Sequence, residues 1–258
     1  MAIYTLTTDF GIREHYVAAV KGNILKLEPQ ATLIDISHSL LHKQWQSSAY
    51  VIHNAYPHFP TGTTHIIGIN LLYSSSPQLI FMEHEGHKFI APNNGILSLV
   101  FNTTIPQMYS APFEPDAIID KYPIILAQLA VQLASNTPLD QIGSPLIHYQ
   151  RLIPILAFSH NNTLKGVVSY IDQQGNVISN ISIHDFKKTS NGRKFSLLSK
   201  RNEKDNNIHK TYTSVNVGEK AIFFNSDGFL QISINNDSAA NMLGLKLNDP
   251  ITFQFYDN

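Results

Sequence analysis

The chain of 258 residues contains no cysteine. Disulfides, thiolate nucleophiles and cysteine-based zinc sites are therefore excluded. Charge is also scarce: charged residues make up 14% of the chain and the formal net charge is −1. That balance gives no electrostatic case for binding a nucleic-acid backbone. No apolar run approaches a membrane span, and no basic-then-apolar leader opens the chain. There is no internal repeat and no low-complexity tract. The expectation is a soluble, cytoplasmic protein with neither nucleic acid nor membrane as partner.

What is present is material for a core. The chain is 43% hydrophobic, enough for one large or two ordinary domains. Its sparse charge is unevenly spread. Up to Gln150, 6 Lys/Arg face 10 Asp/Glu; from Arg151 onward, 12 face 9. The change of sign favours two domains, expected over 1–150 and 163–258 with a linker at 151–162.

Residues 3–7 are β-branched and aromatic, as a buried strand requires. Asp9 follows at the carboxyl end and Gly11 allows a turn. Tyr16, Val17, Val20, Ile24 and Leu27 then recur at helical spacing. Ligands of open α/β sheets bind outside the carboxyl ends of strands. Asp9 could thus hold a substrate hydroxyl pair or cap the following helix, and spacing alone leaves both open. Strands at 32–36 and 64–70, with a helix at 45–55 before the third strand, give a strand–helix alternation and hence parallel pairing. A hairpin joins 79–82 to 88–91 around Glu83-His84-Glu85-Gly86. Asn94 and Gly95 suit a turn with positive φ. A short helix is expected at 96–101, an irregular stretch at 103–120, and a helix at 123–134. Beyond a connection at 144–160, short strands at 164–171, 177–179, 195–198, 221–225, 229–234 and 251–255 predict a small β-barrel or sandwich. Only 238–243 reads as helical there, and 187–210 reads as a basic solvated loop. His38 and His42 stand four apart and His84 and His87 bracket the hairpin turn, but neither pair has a carboxylate third ligand at standard spacing, so no metal is expected.

Seven stretches in order resemble one family. They are Thr7-Thr8-Asp9-Phe10-Gly11, Tyr16-Val17-Ala18-Ala19-Val20-Lys21-Gly22, Asp35-Ile36-Ser37-His38, Phe59-Pro60-Thr61-Gly62-Thr63, Asn93-Asn94-Gly95-Ile96-Leu97-Ser98, Asp172-Gln173-Gln174-Gly175-Asn176-Val177-Ile178-Ser179-Asn180-Ile181 and Asn225-Ser226-Asp227-Gly228. The chain resembles the S-adenosylmethionine (SAM) hydroxide adenosyltransferases, hydrolase relatives of the fluorinases and chlorinases. The resemblance implies an α/β N-terminal domain with a mostly parallel sheet, a smaller all-β barrel-like C-terminal domain, and a homotrimer. It implies a small-molecule nucleoside ligand, SAM or adenosine, at a subunit interface, and no further cofactor. Water would attack C5′ of SAM, releasing methionine and leaving adenosine. Asp9 would hold the ribose hydroxyls; Tyr73, in a loop beside the cleft, and Asn94, in its turn, are further substrate-binding candidates by position alone. Asp172, Asn176 and Ser226 would contact the adenine or methionine end.

The family's Asp–Arg–His set around the attacking water has no exact counterpart. Asn70 stands in the Asp position, Pro77-Gln78 in the Arg position, and Lys121 is nearest to the His. Asn70 and Lys121 are therefore the candidate catalytic residues, for positioning water. The alternatives are a protein that holds the nucleoside without cleaving it, or one that transfers the adenosyl group to another nucleophile.

Overall fold

The computed structural model describes residues 1–258 apart from 42, 102–104, 200–203 and 257–258, and divides them into two compact units, Met1–Ile153 and Pro154–Asn258.

In the first unit the elements run β1 (Ile3–Thr8), α1 (Tyr16–Leu27), β2 (Thr32–Ser37), α2 (Trp45–Ala55), β3 (Thr64–Gly68), β4 (Leu79–His84), β5 (His87–Pro92), α3 (Ile96–Val100), β6 (Tyr109–Ser110), α4 (Pro115–Ala134), α5 (Leu139–Ile142) and β7 (Ser144–Pro145). They build one sheet in the order β2-β1-β3-β5-β4-β6-β7. The first three pairings are parallel and the last three antiparallel, so the sheet is mixed, not mostly parallel. The expected hairpin supplies β4 and β5, and it turns the strand direction; two short strands then finish that side.

Side chains alternate across the sheet, so each strand feeds two cores. Tyr4, Leu6 and Ile66 pack with Val20 and Ile24 of α1 and with Ile125 and Leu129 of α4. Ile67, Ile69 and Phe89 pack on the other face with Ala49 and Ile52 of α2 and Leu97 of α3. Each fully buried Val, Leu, Ile or Phe among them contributes about 1.5–3 kcal/mol. Of the apolar stripe predicted for α1, Val20 and Ile24 are buried, whereas Tyr16 and Leu27 are exposed.

Helix α4 begins eight residues before the predicted start. Glu114 is extended and Pro115 occupies the first turn, where its missing N–H costs nothing. Pro123 lies inside the helix, and Lys121 just before it leaves helical geometry at φ −133°. Of the stretch expected to be irregular, 103 and 104 lie outside the described residues. By length and composition α4 could cross a membrane, but Ile118, Leu126 and Leu133 bury its apolar face in the core.

In the second unit the elements are β8 (Phe158–His160), β9 (Thr163–Ile171), β10 (Val177–Ser182), α6 (Ile183–Ser190), β11 (Lys194–Leu198), β12 (Lys204–Asp205), β13 (Lys220–Phe224), β14 (Phe229–Ile234), α7 (Ala239–Leu243) and β15 (Pro250–Tyr256). All pairings are antiparallel, in the order β12-β11-β15-β9-β10-β14-β13, with β8 on β9. The barrel of expectation is thus a curled sheet with β12 and β13 as edges. β10 shifts register against both neighbours, an irregularity of the kind that increases local twist. Phe158–His160, within the expected linker, is a strand. The basic stretch 187–210 is not one loop either: it contains the end of α6, then β11 and β12. Ser182 caps α6 by accepting the Asp185 N–H at 3.0 Å. Phe186 of α6 packs its ring against Phe195, Phe224 and Phe253.

Candidate functional site

Because β2, β1, β3 and β5 are parallel neighbours, their carboxyl ends meet along one edge. Asp9, His38, Asn70 and Asn94 all follow these ends. Asp9 is half-buried, and its Oδ2 accepts the Asn70 N–H at 2.9 Å. Asn70 adopts φ +52°, a left-handed geometry that asparagine tolerates and that aims its N–H back at β1. Asp9 and Asn70 are therefore joined, through the backbone of one and the carboxylate of the other.

Asn94 is drawn into the same chain of contacts. Its Nδ2 donates to the Ile69 carbonyl at 2.8 Å and its Oδ1 accepts the Ile96 N–H at 3.2 Å. Next to it, Asn93 donates to Gln78 Oε1 and accepts the Gln150 N–H. Gly95 completes the turn at φ +94°, and a Cβ there would stand 2.6 Å from Leu152. The Asn94 amide thus shapes the edge from within.

Lys121 is exposed at the kink of α4. Its neighbour Tyr122 meets Phe10 edge to face, with centroids 5.4 Å apart, so the kink abuts the turn after Asp9. Burial, with a smaller contribution from Tyr16, raises the Tyr122 hydroxyl pKa. Tyr73 is 69% exposed in the loop beyond Asn70.

Beside Asp9 lies a set of contacts among Thr8, His38, Asp35 and Lys21 that sequence reasoning did not connect, although His38 was weighed there as half of a histidine pair. Thr8 Oγ1 stands 2.8 Å from His38 Nδ1, and His38 Nε2 stands 2.9 Å from Asp35 Oδ1. Lys21 of α1 reaches the other Asp35 oxygen at 2.5 Å. Burial alone would raise the Asp35 carboxyl, but Lys21 and His38 outweigh it and hold the pKa below the usual value. The signal was available as a threonine before Asp9 and a histidine after β2, both at carboxyl ends. Their pairing required the register of β1 on β2. His42 lies outside the described residues. His84 and His87 pair across the hairpin, and His87 Nδ1 lies 3.1 Å from His65 Nε2.

In the second unit, Asp172 and Asn176 close the β9–β10 hairpin on each other. Asp172 accepts both the backbone N–H and the side-chain amide of Asn176 at 2.8 Å. Gly175 between them has φ +81°, and a Cβ there would overlap Ser238. A cavity of about 620 Å³ opens beside this turn, lined by Gln174, Asn176, Tyr212, Asn236 and Ser238 among others. Ser226 is not with them. It is exposed in the β13–β14 turn, next to Asp227, at the opposite end of β14.

Comparison with known proteins agrees over most of the chain. Residues 4–143 match the SAM hydroxide adenosyltransferase N-terminal domain and residues 166–252 the C-terminal domain. An (R)-S-adenosyl-L-methionine hydrolase of Methanocaldococcus jannaschii is 29% identical, covering 96% of this chain and 94% of its own. A fluorinase of Nocardia brasiliensis is 26% identical over 74% of each chain. The crystal structure of an uncharacterized conserved protein from Thermotoga maritima superposes with a TM-score of 0.83 at 25% identity, covering 98% of this chain and 99% of that one.

Proposed function

Since the chain belongs to the SAM hydroxide adenosyltransferase family, we propose that it binds SAM and cleaves it to adenosine and methionine by attack of water at C5′. The observation that carries this reading is the Asp9 carboxylate at the carboxyl end of β1, braced by the Asn70 N–H at 2.9 Å. A carboxylate accepts two hydroxyls of a ribose as charge-assisted hydrogen bonds. In the second unit the Asn176 turn and its cavity offer amides and a phenol, Tyr212, to an uncharged heteroaromatic ring. Ser226, at the other end of β14, suits the methionine end. The same reading expects trimers, with the nucleoside at an interface between copies.

In the reaction, the water oxygen bonds to C5′ while the C5′–S bond breaks with its electron pair on sulfur. The positive sulfonium leaves as the neutral thioether of methionine, and the water proton passes to solvent. With so good a leaving group, in-line placement and exclusion of bulk water supply much of the rate. The Asn70 amide and the Lys121 ammonium would position the water, with Tyr73 at the mouth.

A second reading is retention of the nucleoside without turnover. Asn70 favours it: an amide takes no proton from water, and its backbone already serves Asp9. Incubation of the purified protein with SAM, followed by chromatography of adenosine and methionine, separates the two. Release above the uncatalysed rate supports hydrolysis. Saturable SAM binding with no release supports the second reading, and absence of binding contradicts both.

A further inference from the structure

We propose that His38, oriented by Asp35, is a positioning residue that sets the turn carrying Asp9. His38 Nε2 lies 2.9 Å from Asp35 Oδ1, an ion-pair contact outside hydrogen-bond geometry; at that distance two lone pairs would repel, so the ring proton sits on Nε2, facing the carboxylate. In the neutral ring Nδ1 then accepts, and it receives the Thr8 hydroxyl at 2.8 Å. With its proton so directed, Thr8 Oγ1 accepts the Phe10 N–H at 3.3 Å. The His38 carbonyl meanwhile accepts the Gly11 N–H at 2.9 Å. One residue of β2's end therefore holds the chain on both sides of Asp9, at Thr8 and at Gly11.

The order of these bonds is directional. Lys21 and His38 hold Asp35, Asp35 selects the tautomer of His38, and His38 fixes Thr8. The two inner members, Thr8 and His38, are buried at 1% and 8% exposure, so solvent cannot easily substitute for a lost bond there. Space-filling alone at the end of an edge strand would need none of this polarity. The ligand part of the inference rests on the nucleoside reading; the turn-setting part does not.

Two substitutions separate the arms of the ring. His38→Gln puts an amide nitrogen near the place of Nε2, keeping Asp35 and dropping Thr8. His38→Asn puts an acceptor near the place of Nδ1, keeping Thr8 and dropping Asp35. Amide hydrogen exchange over residues 8–14 and adenosine titration are measured on both variants and on Thr8→Val, which removes the hydroxyl at nearly constant volume. His38→Gln and Thr8→Val are expected to speed exchange of 8–14 about tenfold and weaken adenosine about tenfold. His38→Asn is expected to stay within about threefold of the parent on both counts. Should His38→Gln fail to fold, Thr8→Val carries the same expectation. Unchanged exchange over 8–14 in Thr8→Val, or equal effects of His38→Asn and His38→Gln, overturns the inference. If the parent protein takes up neither adenosine nor SAM, the nucleoside reading fails by itself, and the exchange result still decides the role of His38.

Discussion

Thr5 and Thr8 leave β1 on opposite faces, and each hydroxyl meets the Nδ1 of a histidine, His65 at 2.7 Å and His38 at 2.8 Å. Behind His38 stands a carboxylate, itself held by Lys21 and partly open to solvent. Behind His65 stands a second imidazole, His87, in a pocket of rings made by Tyr56, Phe59 and Phe89. The first arrangement orients a ring by charge. The second buries a ring where charge is disfavoured: desolvation, helped by His87, pushes the His65 pKa down to about 3. The same threonine–histidine pairing thus yields a directed support at the carboxyl edge and an acid-sensitive plug on the other face of the sheet.

The sharpest way to separate the two regions is to remove the acid that only one of them serves. Asp9→Ala is expected to weaken adenosine about 100-fold or more, since two hydrogen bonds to a charge are lost, and calorimetric titration reads the change. His65→Phe, which keeps the stack on Phe89, is expected to leave adenosine affinity within about twofold.

Acid should strike the plug through stability. An unfolded chain protonates His65 near pH 6.5, whereas the folded chain holds it neutral until about pH 3. Stability from His65 is therefore fully present above pH 6.5. It is lost by up to about 1.4 kcal/mol per pH unit as pH falls from there toward 3. Urea midpoints measured from pH 7 to pH 4.5 are expected to fall, and His65→Phe is expected to reduce the slope by about half or more, with His87 contributing the remainder.

Two smaller effects address the second unit. Gly175→Ala forces a Cβ into Ser238 at a positive φ. It is expected to cost about 1–3 kcal/mol in urea unfolding. Ser226→Ala, at the far end of β14, is expected to leave adenosine within about twofold while weakening SAM a few-fold. Equal losses for both ligands would break the proposed division between the two turns.

Much of the architecture could be read from residue order. β1, β2 and β3 announce themselves as β-branched runs, and the Asp9 position follows from the rule that ligands gather at carboxyl ends. The front of α4 was hidden because Asp116, Asp120 and Lys121 interrupt the apolar pattern between prolines. Pro115 at a first turn was the overlooked sign. Helix α6 was hidden by its basic composition, although Ser182 and Asp185 form a cap and Asn191, at φ +46°, ends it. At the site, the pattern marks which residues stand at the edge, but not which bonds they make. Asn94 reads as a tolerant turn residue, yet its amide is engaged at both ends. The bracing of Asp9 depends on the backbone of Asn70 turning left-handed, and the His38–Thr8 bond depends on the register between β1 and β2. These are tertiary facts that spacing along the chain does not carry.

The most direct measurement compares adenosine with 2′,3′-dideoxyadenosine on the parent protein and on Asp9→Ala. A carboxylate that grips the sugar predicts a loss of about 10- to 100-fold on removing both hydroxyls from the parent's ligand, and little further difference between the two nucleosides on Asp9→Ala. Equal affinities of the parent protein for both nucleosides would contradict it, and would leave Asp9 as a brace for the Asn70 turn alone.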